Sequence, residues 1–89
     1  MLNEALVKEF GLRIKQIRTE KRMSQEQLSF LTGFHRTYIG MIERGERNIS
    51  LANIAVFARV FEMTVAELLG LSSINPRHSH RDYETKAEQ

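Results

Sequence analysis

The chain has no cysteine and no tryptophan, and only one proline among its 89 residues. Without cysteine there are neither disulfides nor thiolate metal ligands, which suits a reducing cytoplasm. No apolar run approaches the length needed to span a bilayer, so no membrane association is expected. The opening MLNEALVKEF carries acidic residues and lacks both an extended apolar stretch and a small-residue cleavage site. It does not read as a signal peptide. Catalytic signatures are missing as well: no Gly-rich phosphate loop, no HExxH pair, no thiol nucleophile and no convincing carboxylate pair. Ser24 and Ser29 serve helix capping and packing, so no catalytic residue is assigned and an enzyme is not expected. His78 and His80, with Asp82 nearby, lack a third spaced ligand. No metal and no cofactor are expected.

What is present is ordinary for one folded domain: 42% hydrophobic and 27% charged residues, a composition that excludes a disordered chain. Net charge is only +2, but its distribution is uneven. From Lys8 to Arg47 there are nine basic residues against five acidic ones, whereas Leu51 to Leu71 holds one Arg and two Glu. A basic half is an electrostatic footprint for phosphate contact.

The segment Ser24–Arg44, SQEQLSFLTGFHRTYIGMIER, is the most informative. Ser24 is an N-cap residue, and Glu26–Gln27 stand where a capping box places its reaching side chain. Leu28 and Leu31 mark an apolar face, and Gly33 is a left-handed terminator. A second helix must begin near His35, with Ile39 and Ile42 spaced to pack back onto the first and Gly45 closing it. Two short helices joined by a tight turn make a helix-turn-helix. The second helix presents His35, Arg36, Thr37 and Tyr38 at its leading end, the part of a recognition helix that reaches base edges in the major groove.

Around this pair, Leu6, Phe10, Ile14 and Ile17 form one stripe of a first helix over about 3–21, with Gly11 inside it. Ser50 caps a fourth helix whose core side is Leu51, Ile54, Phe57, Ala58 and Phe61. Thr64 caps a fifth, with Val65 and Leu68 turned inward and Gly70 near its end. No strand-like alternation is present. The expected fold is all-α, a five-helix bundle containing the helix-turn-helix. Residues 1–71 make this domain. Residues 72–89 are polar, contain the proline and show no apolar period, so they read as a flexible tail.

From Phe10 to Leu69 the chain resembles the Cro and phage-repressor type of DNA-binding domain, the lambda-repressor-like fold. The resemblance rests on Arg18, SQEQL at Ser24–Leu28, Gly33, Ile42–Gly45 (IERG) and the two helices that follow. Within that family, HRTYIGMIERGERN is similar to restriction–modification controller proteins. The resemblance implies that Arg36 and Thr37 read bases, that the Tyr38 hydroxyl lies against base or backbone, and that Gln25 and Arg47 approach the DNA backbone. His35, Arg44 and Asn48 are further backbone candidates, with an N-cap or surface role open for His35 and a helix-dipole role open for Arg44. Arginine is the commonest bidentate reader of guanine, and threonine can bond a base edge or touch a thymine methyl. At Met41 relatives often carry a polar reader. Arg18 and Glu43 correspond to an ion pair of the family that ties the first helix to the third.

A module this small contacts too few base pairs alone, so a homodimer on a palindromic double-stranded DNA operator is expected. Ala52, Val56 and Val60 run at spacings of four off the core face of the fourth helix. With Leu69 and Leu71 they make a candidate dimer interface. The resemblance implies autoregulated control of restriction–modification genes, by repression or activation, with RNA polymerase as a further partner. Two alternatives stand beside this: an antitoxin that binds a toxin protein and its own operator, and a protein-interaction module without DNA binding.

Overall fold

The structure, a computed structural model, describes residues 4–70. Leu71, the segment 72–89 and its His78, His80 and Asp82 lie outside the described residues. Among the described residues five helices follow one another: α1 (Glu4–Glu20), α2 (Gln25–Thr32), α3 (Arg36–Glu43), α4 (Leu51–Val60) and α5 (Val65–Leu69). No strand occurs among the described residues. No helix there is long and apolar enough to cross a membrane.

Every helix contributes to one core. Ile14 and Ile17 come from α1, Leu28 from α2, Ile39 and Ile42 from α3, and Leu68 from α5. Phe57, Ala58 and Phe61 enter from α4 and its C-cap. Each of the large side chains contributes about 1.5–3 kcal/mol by leaving water. Three expected core positions are instead on the surface. Leu6 is 59% exposed because α1 projects beyond the bundle at its start, and Leu31 is 51% exposed because α2 turns only Leu28 fully inward. Leu51 is 70% exposed. It is the first residue of α4, where the chain is still outside the core. Val60, expected off the core face, is half-buried and packs against the core.

Gly11 marks the crossing of α1 and α3. A Cβ there would stand 2.2 Å from the carbonyl oxygen of Ile42 and 2.9 Å from that of Glu43. The two backbones touch, so the end of α3 is registered against α1 without intervening side chains.

One joint is used twice. After α1, Arg22 takes φ +60°, and after α4 Glu62 takes the same value. The next amide closes the helix in each case: Met23 N–H donates to Arg18 O at 3.0 Å, and Met63 N–H to Ala58 O at 2.9 Å. A capping box follows both, Ser24 with Gln27 and Thr64 with Glu67. Four residues beyond each cap sits a fully buried leucine, Leu28 or Leu68. This is the Schellman closure with a non-glycine residue in its left-handed position, a conformation costing about 1–2 kcal/mol for an L-residue.

Glu62→Gly should therefore raise unfolding free energy by about 0.5–1 kcal/mol in urea titration, the relieved strain exceeding the added chain entropy. Gly11→Ala should lower it by about 2 kcal/mol or more, because backbone must shift to admit the methyl.

Candidate nucleic-acid interface

The turn at residues 33–35 sets the angle between α2 and α3. Gly33 has φ +80°, and its N–H donates to Ser29 O. Ser29 Oγ donates to Phe34 O, and Phe34 N–H donates to Thr32 Oγ1 at 3.1 Å. The Phe34 ring packs on the core, 5.3 Å from Phe57 and 5.2 Å from Tyr38 between centroids. The turn is thus plugged into the bundle, and the Gly33 and Phe34 amides and the Phe34 carbonyl find partners close by in the chain.

α3 buries Ile39, Gly40, Ile42 and Glu43. Its outer side carries Arg36, Thr37 and Arg44 exposed, with Met41 half-buried. His35 is the N-cap by backbone conformation, and its side chain makes no capping bond. The first amides of α3 are therefore not capped by the His35 side chain, at the positive end of the helix dipole. The guanidinium of Arg36 and the hydroxyl of Thr37 stand beside them in solvent, on the first turn.

A buried ionic knot fixes this helix from behind. Arg18 Nε donates to Glu43 Oε2 at 2.6 Å and Arg18 Nη2 to Glu43 Oε1 at 3.1 Å. Arg18 Nη1 reaches Met23 O at 2.8 Å, in the joint before α2. Gln25 Nε2, on the first residue of α2, donates to Glu43 Oε1 at 3.0 Å. One carboxylate thus gathers α1, α2 and α3. The bidentate fork adds orientation as well as attraction.

A second cluster gathers around Tyr38 on α3. Arg47, exposed in the loop before α4, holds its Cζ 5.2 Å from the Tyr38 ring centroid. Its Nη1 lies 3.9 Å from Met41 Sδ. Asn53 Nδ2 on α4 donates to the Tyr38 hydroxyl at 2.9 Å. Arg44 pairs with Glu46, Nε to Oε2 at 3.0 Å, with both side chains more than half exposed. The hydrogen bond from Arg44, reinforced by its charge, holds the Glu46 carboxyl below the usual carboxylate range.

The structure thus brings Gln25, His35, Arg36, Thr37, Arg44, Arg47 and Asn48 onto α2, α3 and the loop that follows. Asn48 is exposed in that loop. Tyr38 is half-buried, and its hydroxyl accepts a bond from Asn53. Ala52 is exposed on α4, Val56 is half-buried, and Leu69 on α5 is 36% exposed. Among the described residues no cluster of His, Cys, Asp or Glu could hold a metal ion.

Three contributors escape sequence reasoning. Phe34 anchors the turn, Asn53 holds Tyr38, and Arg13 on α1 donates to Leu68 O at 2.9 Å and Glu67 O at 2.8 Å. None was singled out as a functional residue by its motif or spacing. Only Phe34 left a signal, as a large apolar residue in a turn.

Residues 14–72 match the family model described as helix-turn-helix. Control protein C.BamHI of Bacillus amyloliquefaciens is 46% identical over 66 residues, 73% of this chain and 82% of the relative. The restriction-modification controller protein C.AhdI of Aeromonas hydrophila is 47% identical, with a TM-score of 0.68. The match covers 74% of this chain and 98% of that one. The chain belongs to the helix-turn-helix family of restriction–modification controller proteins. A further controller protein, C.Esp1396I, was solved as a tetramer in complex with its natural 35-base-pair operator. It is 32% identical to this chain, with a TM-score of 0.68, and the match covers 74% of this chain and 87% of that one. This controller-family chain keeps the same helical body and sets its knot under α3.

Because Arg18 is buried, Glu43→Ala leaves a guanidinium unpaired in the interior. Unfolding free energy should fall by about 3–5 kcal/mol, read as a sharp drop in melting temperature. An unchanged melting temperature would mean that Glu43 does not hold α3.

Proposed function

We propose that the chain is a sequence-specific, double-stranded DNA-binding transcriptional regulator that controls restriction–modification genes. It acts as a homodimer on a palindromic operator. The observation that carries this reading is the solvent-facing pair Arg36 and Thr37 on the first turn of α3, in a chain whose relative C.Esp1396I was solved on operator DNA. In use, that turn enters the major groove. Arg36 meets guanine through its two-pronged donor set and Thr37 a base edge or thymine methyl. Gln25, His35, Arg44, Arg47 and Asn48 serve the phosphate backbone, the first two at helix N-termini that favour anions.

Dimerisation through α4 and α5 sets two such turns on one DNA face about 34–36 Å apart. Ala52, Val56, Val60, Leu69 and Leu71 are the proposed interface. The exposed Leu51 beside Ala52 extends the apolar area available to a partner. The regulator works by occupancy in the cytoplasm, not by catalysis. Its own concentration sets how many pairs sit on the operator. Repression or activation follows from where the site lies relative to the promoter, and RNA polymerase is the partner in the activating case.

Selection of bound duplexes from a random pool should return a two-fold symmetric site. On that site Arg36→Ala and Thr37→Ala should each weaken binding by about 1–3 kcal/mol and relax the preference at one position per half-site, with melting temperature unchanged. Equal binding by both variants would favour a protein-interaction module. Sedimentation at tens of micromolar should show a dimer; a monomer both free and on DNA would remove the pairing.

A further inference from the structure

We propose that Asn53 is a positioning residue of the DNA interface: it fixes the Tyr38 ring, which in turn holds the Arg47 guanidinium ready for the nucleic acid. The inference rests on the DNA-binding reading above and adds a residue on α4 that does not itself reach DNA.

Tyr38 is held at three points. Its ring packs against that of Phe34, with the planes at 78°. Its hydroxyl accepts from Asn53 Nδ2 at 2.9 Å. One face lies beneath Arg47, whose Cζ is 5.2 Å from the centroid. Phe34 is itself packed on the core, so the ring is a fixed platform and not a mobile reader. Asn53 is rigid too: its backbone N–H donates to Ser50 Oγ at 3.1 Å, inside the cap of α4. Asparagine is a poor helix former because its amide competes for backbone partners. Here that amide is spent on Tyr38.

Arg47 benefits from this frame. It is exposed, lies in a loop, and pairs with no carboxylate among the described residues. A free arginine in such a place samples many rotamers, and ordering it on binding costs affinity. Stacking on Tyr38, with Met41 Sδ near Nη1, orders it beforehand while leaving its charge available. Arg44 contrasts with it, since its charge is shared with Glu46.

The test is a double-mutant cycle on DNA affinity, with the full chain and the duplex recovered by selection. Asn53→Ala should weaken binding about three- to tenfold, the usual worth of one hydrogen bond. Arg47→Ala should weaken it at least as much, and the double variant no further than Arg47→Ala alone. Arg47→Ala should reduce the slope of log affinity against log salt by about 0.9, one phosphate contact. Asn53→Ala should move the slope the same way, which a purely structural role would not. Tyr38→Phe keeps the ring and removes only the accepting oxygen. It should reproduce the Asn53→Ala loss, and it serves should Asn53→Ala fail to fold. Additive losses with an unchanged salt slope in Asn53→Ala, or in Tyr38→Phe, overturn the positioning role. Absence of DNA binding by the wild-type chain would instead overturn the DNA reading itself.

Discussion

The arrangement of the first three helices depends on one carboxylate. Glu43 ends α3, takes two bonds from Arg18 of α1 and one from Gln25 of α2, and is almost fully shielded from water. Such a pair returns little net stability, since stripping water from two charges costs nearly what their attraction gives back. Its value is directional. Ile39 and Ile42 drive α3 into the core by burial, a force that is indifferent to a few degrees of rotation. The fork of Arg18 is not indifferent, because both of its bonds weaken once the carboxylate turns. Apolar contact thus supplies the holding energy, and the knot chooses the angle at which Arg36 and Thr37 face outward.

The front of α3 is governed by aromatic packing. Phe34 links the turn to Phe57, and Phe57 lies 6.2 Å from Phe61. This row of rings runs from the turn into the heart of α4. Tyr38 joins it from the side and carries Arg47. The outer surface of α3 therefore sits between two braces, ionic behind and aromatic ahead. A surface held in this way loses little freedom when it binds, which favours affinity from few contacts.

Much of this was legible in the amino-acid order, and the reasons are local. Ser24, Ser50 and Thr64 announced three helix starts because a capping hydroxyl bonds an amide within its own turn. Gly33 announced a stop because its backbone is left-handed. Arg18 and Glu43 came from family resemblance, not from spacing, since 25 residues separate them. Leu6, Leu31 and Leu51 misled because periodicity reports a helix face but not how far that face extends over the core. Arg22 and Glu62 gave no warning of their left-handed backbone, since neither is glycine or asparagine. Asn53, Phe34 and Arg13 act across helices, where the partner is set by tertiary packing.

Arg13 has a wider bearing. α5 is only five residues long, far below the length at which a helix persists alone in water. Its last carbonyls are tethered by a side chain from the opposite end of the sequence. α5 thus draws part of its support from α1, so a loosening of the chain's first helix is felt directly at its last.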